Sequence, residues 1–518
     1  MEKILVKKNS YYDSVTLMLI SQDVKKIDGV QDVIVGMGTE LNLELSRKMG
    51  LELVELDQVT VNDMFIAARV SEEGAWTSLC TKVEELLNKK NEDNANEYFP
   101  ASLASARNMM PDLNLALISI PGKYAYDVAK DCLDKDIHVM LFSDNVTIEE
   151  EKKLKEYAVS KGLLMMGPDC GTAIINNVPL AFSNVVKKGN IGLVGASGTG
   201  TQEVTSVIDR LGGGLSQVIG TGGRDLKKEI GGLMMKLGLE ALKKDERTEV
   251  IVVVSKPPAE EVSEEILDIV AEIGKPSVVC FIGGDATRIE KRGIVAASTL
   301  EEAAYKAVCL AEHKPVVYSG KFENEEETDR QGKEISGKMA AGQKYIRGLY
   351  TGGTLCDEAM KILHDDLGVI YSNVPLKQEE NLENPVYGKS KGNTFLDFGD
   401  DAFTVGRAHP MIDPSLRAAR IVEEAKDTEV AVILVDCVIG YGSHPNPAHD
   451  LAESFVKAAD IAKTEGRELC MVASVCGTYQ DPQGYEDTVR QLTEAGAHVF
   501  DTNAKAARFC WKVLAQRR

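Results

Sequence analysis

The sequence predicts a multidomain α/β protein built on parallel sheets, and three observations lead there. Apolar runs of strand length alternate with amphipathic helical stretches along most of the chain. Runs such as Leu113–Pro121 and Ile137–Phe142 are apolar almost throughout, as in strands covered on both faces, and they bracket a helix in βαβ order. Strand-to-helix turns made of Gly, Ser and Thr recur at intervals, above all Gly192–Glu203 and Arg347–Ala359. At 518 residues the length suits roughly three to four domains, each able to bury a core.

The composition, 44% hydrophobic and 27% charged, is that of a soluble globular protein. A net charge of -21 argues against nucleic acid or an anionic membrane surface as the main partner, so any anionic ligand must be met by local groups. No apolar run reaches the ~18 residues of a membrane span, and Met1–Lys8 enters a strand directly; a cytoplasmic protein is expected. The ten cysteines show no C-x-x-C spacing and read as free thiols, and no metal is expected. His444 and His449 lack a third ligand in a matching motif.

In chain order, residues 1–95 read as a small α/β domain. Its strands are Ile4–Val6, Val30–Val35 and Met64–Val70, and its helices run from about Asp13 to Val24 and from about Thr39 to Met49. The polar run Asn88–Glu97 reads as a linker. A βαβ domain with a parallel sheet is expected over 98–188, in which His138 reads as a core histidine, and then a domain over 189–318. There the strands ending at Gly220, Ser255 and Ile282 should direct their carboxyl-end turns to one crevice. Residues 321–343 read as a charged connector, and 343–518 as a last α/β domain that repeats the strand, glycine turn and helix of Gly192–Glu203.

Six stretches carry a family resemblance: Asn9–Val15, Gly167–Thr172, Gly195–Thr199, Gly222–Asp225, Leu349–Leu355 and Gly406–Pro414. On these the chain resembles the FdrA family, itself similar to succinyl-CoA synthetase. The resemblance implies a Rossmann-like, CoA-binding-type domain, two flavodoxin-like domains of the synthetase type and the small amino-terminal unit. Residues from about 98 to 315 then resemble the synthetase α subunit, and those from about 343 the carboxyl-terminal domain of its β subunit. In the synthetases two helix amino termini face each other across a phosphohistidine. The matching positions here are Ser197, Gly198 and Thr199 on one side and Gly352, Gly353 and Thr354 on the other. Such termini present free N–H groups and the positive end of the helix dipole to a phosphate.

The chain departs from the synthetases where their histidine loop should be: Gly283–Gly293 contains no histidine, and Lys256 in Ser255–Pro258 stands where the relay keeps a carboxylate. No ATP-grasp half and no glycine-rich CoA fingerprint are evident, so no cofactor is expected and CoA is doubtful. The resemblance implies a subunit of an oxamate carbamoyltransferase, exchanging carbamoyl phosphate plus oxamate with oxalurate plus phosphate in anaerobic allantoin breakdown, within an oligomer and with other subunits. Arg224 and Arg407 are the candidate clamps for phosphate or carboxylate. His409 is the candidate for polarising a carbonyl or moving a proton, Asp413 or Asp436 for orienting it and touching substrate, and Lys256 for a further anion contact. An acyl-CoA synthetase of the succinyl-CoA synthetase type, acting with a separate ATP-binding subunit, and a non-catalytic scaffold are the alternatives.

Overall fold

The computed structural model describes residues 1–10, 12, 14–51, 53–93, 100, 102–404 and 407–517. Parts of four expectations fall outside them: Tyr11 and Asp13 of the first motif, residues 94–97 of the linker, the domain start at 98, and Gly406. The chain forms two compact units, Met1–Pro111 with Phe403–Leu416, and Asp112–Ala402 with Arg417–Arg518.

The first unit runs β1 (Glu2–Lys7), α1 (Ser14–Lys25), β2 (Val30–Met37), α2 (Glu40–Lys48), β3 (Met64–Val70), α3 (Glu73–Asp93) and α4 (Leu103–Met109). The sheet order is β1-β3-β2, antiparallel throughout. Side-chain alternation along β3 sorts the core. Met64, Ile66 and Ala68 pack with Leu17, Ile20 and Val83 of α1 and α3, while Phe65 and Ala67 pack on the other face with Leu45 and Leu56. Thr39 caps α2 by accepting the Asn42 N–H. The expected linker begins as helix, because α3 continues to Asp93. Lys89 and Lys90 are good helix formers and prolong an amphipathic helix already nucleated upstream.

The second unit opens with β4 (Leu115–Ile118), α5 (Gly122–Asp134), β5 (His138–Leu141), α6 (Ile148–Ser160) and β6 (Met165–Met166), a parallel three-stranded sheet. His138 Nδ1 accepts the Leu164 N–H at 2.9 Å, and burial lowers its pKa, so it is a neutral sheet histidine. Next come β7 (Thr172–Ile175), β8 (Val178–Ala181), β9 (Lys188–Ala196), α7 (Gly198–Arg210), β10 (Leu215–Gly220), α8 (Leu233–Lys244), β11 (Val250–Ser255), α9 (Glu260–Ile273), β12 (Ser277–Phe281), α10 (Ala286–Glu290), β13 (Val295–Ala296) and α11 (Leu300–Ala311). Their seven strands are ordered β13-β12-β11-β9-β10-β7-β8. The strands from β13 to β10 are parallel, and the β7-β8 hairpin adds antiparallel to β10. The sheet thus recruits two strands from before residue 188.

The chain closes with α12 (Glu325–Lys338), β14 (Tyr345–Tyr350), α13 (Gly353–Leu367), β15 (Ile370–Ser372), β16 (Asn393–Asp397), α14 (Asp401–Thr404), α15 (Ser415–Glu424), β17 (Val430–Val438), α16 (Pro447–Thr464), β18 (Cys470–Cys476), α17 (Tyr485–Glu494), β19 (His498–Phe500) and α18 (Asn503–Leu514). Its six strands, β15-β16-β14-β17-β18-β19, are all parallel. The expected connector contains a helix, α12. Asn324 caps it through the Glu327 N–H, and Lys512 of α18 pairs with Glu325 and Asp329, so a sequence poor in apolar residues is fixed by charge instead. Among the described residues no helix is long and apolar enough to cross a membrane.

Candidate anion-binding site at paired helix termini

Parallel strands deliver their turns to one sheet edge, and in the second unit two helices start at such edges: α7 after β9 and α13 after β14. Their amino termini meet. Ser197 Oγ donates to Thr354 Oγ1 at 2.6 Å, and the same Ser197 oxygen accepts the Gly200 N–H at 3.0 Å as the α7 cap. A Cβ on Gly352 would come within 2.7 Å of Thr199 Oγ1, so the absence of a side chain there permits the approach. The six positions expected to bind phosphate are therefore gathered in one place, with Gly198 and Gly353 half-exposed and the other four buried.

The α13 terminus has no side-chain cap. Asp436 sets its geometry instead, accepting from Thr351 N–H and Oγ1 and from Gly352 N–H at 2.8, 2.9 and 2.8 Å, while Arg417 donates to it at 2.6 Å. Asp436 was expected to touch substrate or orient His409. It is fully buried with these partners and holds the turn that starts α13.

Lys256, at the carboxyl end of β11, reaches across to α13 and pairs with Asp357 at 2.9 Å. Its side chain stays 35% exposed. Burial alone would lower its pKa; Asp357 and Asp397 outweigh that and raise it, so the ammonium is charged. Asp397, the last residue of β16, lies over the first turn of α13: a Cβ on Gly353 would overlap its Oδ2 and come within 3.1 Å of Lys256 Nζ. Sequence reasoning missed Asp397, although its position at a strand's carboxyl end was a usable signal. Cys356, one turn into α13, is fully buried, and burial raises its thiol well above the ordinary range.

Arg224 donates through Nη2 to the Val146 carbonyl at 2.7 Å, pairs through Nε with Glu151 at 2.9 Å, and lies near enough to Asp169 and Asp401 to oppose the rise in their pKa. Glu151 also meets Lys155, which is wholly buried and bonded to Asp225 and to the Thr221 carbonyl, so a buried ion cluster fixes the Gly222–Asp225 turn. Arg407, His409 and Asp413 belong to the first unit. Asp413 was expected to orient the histidine; it pairs with Arg407 at 2.8 Å and accepts the Ser415 N–H at 3.0 Å, while His409 Nδ1 accepts the Met411 N–H at 3.2 Å.

A second pair of acids ties α7 to α13 deeper in the interface. Each helix carries Gly-Thr at its first two positions and a glutamate at its sixth, Glu203 and Glu358. Glu203 accepts the Asn503 N–H that opens α18, at 3.0 Å. Glu358 accepts the Leu300 N–H that opens α11 and the Asn503 side-chain amide, both at 2.7 Å. Burial pushes each carboxyl up to about 7.

All ten cysteines are free, Cys80 half-buried and the rest buried. Among the described residues no group of three His, Cys, Asp or Glu could hold a metal. His444 and His449 each face a carboxylate, Asp450 at 3.8 Å and Glu453 at 3.4 Å.

Two facing helix termini between a seven-stranded and a six-stranded sheet define a protein like succinyl-CoA synthetase. Family models agree: residues 186–283 match a CoA binding domain, 349–513 a CoA-ligase domain, and 1–100 the AllF, heavy metal-associated domain. The chain is 44% identical to YahF of Escherichia coli strain K12 over 95% of both chains, and it belongs to that family, the FdrA/AllF type of succinyl-CoA-synthetase-like protein. It is 28% identical to a succinate–CoA ligase α subunit of Aquifex aeolicus over 33% of this chain and 56% of that one. It is 27% identical to the sulfoacetate–CoA ligase subunit SqwL of an Acholeplasma species over 33% and 59%. The chain thus spans little more than half the length of these ligase subunits. The solved structure of PH0766 from Pyrococcus horikoshii matches with a TM-score of 0.33 and 16% identity, over 79% of this chain and 85% of that one.

These relatives correct the carbamoyltransferase expectation. The succinate–CoA and sulfoacetate–CoA subunits that match part of this chain are CoA ligases, and residues 349–513 match a CoA-ligase domain; a missing loop histidine removes a phosphoryl relay without turning the fold into a carbamoyltransferase. The amino-terminal match names a metal, but the residues there do not fit one: residues 1–100 contain no histidine and a single cysteine, the half-buried Cys80 of α3.

Proposed function

We propose that the chain is an acyl-CoA ligase-type subunit that interconverts an acyl phosphate plus coenzyme A with an acyl-CoA plus phosphate. The observation that carries this reading is the cradle itself: two helix termini whose Ser197 and Thr354 hydroxyls meet at 2.6 Å, with the Lys256 ammonium beside them. Main-chain N–H groups and helix dipoles fixed in advance stabilise the charge that gathers on phosphate as its bond to the acyl carbon breaks. Lys256 adds a full positive charge at the same edge. Because Gly283–Gly293 lacks a histidine, phosphate stays on the substrate and is not parked on the protein. In this reading coenzyme A is a substrate, no resident cofactor or metal is needed, and nucleotide chemistry belongs to a separate ATP-binding subunit of an oligomeric assembly.

The test is thioester formation from coenzyme A and a panel of acyl phosphates, by the chain alone and with its co-purifying subunits. Thioester should accumulate with phosphate release and fall by roughly 100-fold or more when Ser197 and Thr354 are both replaced by alanine. No thioester from any acyl phosphate in any assembly overturns the reading.

A further inference from the structure

One titratable group at the cradle has no part in holding the fold comparable to that of Asp436. Asp397 ends β16 and leans over the first turn of α13, with Oδ1 accepting the Gly399 N–H at 2.8 Å, Oδ2 against Gly353 and the Lys256 charge near enough to act on the carboxyl. Its main chain is clamped from both sides by Asn373, whose Oδ1 accepts the Asp397 N–H and whose Nδ2 donates to the Asp397 carbonyl, each at 3.0 Å. The carboxyl group is thus fixed in position, and one oxygen faces the half-exposed Gly353 at the mouth of the cradle.

We propose that Asp397 is the general base and acid of the acyl-transfer step. This rests on the acyl-transfer reading above. Asp397 accepts the thiol proton of coenzyme A as sulfur attacks the carbonyl carbon of the acyl phosphate. The sulfur–carbon bond forms, the bond from carbon to the phosphate oxygen breaks with its electron pair leaving on phosphate, and Asp397 passes the proton to that oxygen. The carboxylate ends the cycle as it began, and in the reverse direction it takes the proton from phosphate and gives it to the departing thiolate.

The surroundings suit this task. Lys256 faces Asp397 from the end of β11, Asp357 and Cys356 from α13, and Asp400 from the turn after β16. Burial pushes the carboxyl up to about 7 with Asp357 and Asp400 adding to it, while Lys256 and the Gly399 N–H pull it down. A group balanced there both takes and releases a proton near neutral pH.

The test compares the wild-type chain with Asp397→Asn and Asp397→Glu in the assembly that forms thioester. Asp397→Asn should cut turnover by roughly 100-fold or more with the KM for acyl phosphate little changed, and should erase the rate limb that titrates near neutrality. Asp397→Glu should restore that limb in part. A second measurement needs no turnover: inorganic phosphate is titrated calorimetrically in two buffers of different ionisation enthalpy. The wild type should take up more protons on binding than Asp397→Asn, because the bound anion raises the proton affinity of the carboxyl beside it. An Asp397→Asn protein with unchanged rate, pH profile and proton uptake overturns the role of Asp397 alone. A wild type that neither binds phosphate nor forms thioester overturns the acyl-transfer reading, and this proposal with it.

Discussion

The two helices that build the cradle begin with the same dipeptide and are finished differently. The α7 start is capped by Ser197 in the ordinary way, and a Cβ on Gly198 would meet nothing nearer than Thr172 Oγ1 at 3.8 Å. The α13 start has no side-chain cap; its turn hangs on the buried Asp436–Arg417 pair, and Asp357, Asp397 and Lys256 crowd its first turns. One jaw carries a hydroxyl cap and open space beside it, and the other is surrounded by charged side chains. The same backbone motif thus sits in two different electrostatic settings.

Removing each jaw's anchor gives the largest contrast. Asp436→Ala leaves Arg417 buried and unpaired and should cost about 3–5 kcal/mol. Ser197→Ala removes a cap and should cost about 1 kcal/mol. Urea denaturation of the two variants measures both, and equal losses would break the comparison. Next come the glycines. Gly352→Ala forces Thr199 away and should destabilise by about 1–3 kcal/mol, whereas Gly198→Ala, at an open position, should change stability by less than about 1 kcal/mol and in the favourable direction. Thermal unfolding midpoints order the two.

A further effect is one the two helices share. Glu203 and Glu358 hold their protons up to about 7, well above the ordinary range for glutamate, because both are buried. The native state therefore binds more protons than the unfolded chain from about pH 4.3 up to that value, and stability falls as pH rises through the window. Urea midpoints at about pH 5 and about pH 8 should show this loss, and Glu203→Gln or Glu358→Gln should flatten it.

Much of this site could be read from the sequence, because its parts are local. Strand, glycine turn and helix are contiguous in Gly192–Glu203 and Arg347–Ala359, so the two jaws are visible as motifs, and parallel βαβ order predicts that their turns share an edge. What escaped depends on distant partners. Asp436 reads like any acid at a strand end until Arg417 and the Thr351 turn close on it. Arg407 reads as a ligand clamp and Asp413 as a residue that orients His409, yet a separation of six residues lets the two pair with each other. The β7-β8 hairpin was hidden by its shortness, and α12 by stabilisation through ion pairs, which a search for apolar periodicity does not register.

The crossed contacts of Glu203 and Glu358 carry a consequence for how this unit comes apart. Glu203 on α7 secures the first amide of α18, which packs on the six-stranded sheet, and Glu358 on α13 secures the first amide of α11, which packs on the seven-stranded one. Each sheet layer thus supplies the carboxylate that completes a helix of the other. Neither can open without uncovering a buried acid and an orphaned helix start in its neighbour, so the two layers form one cooperative block, and the amides of Leu300 and Asn503 exchange with solvent in the same opening event.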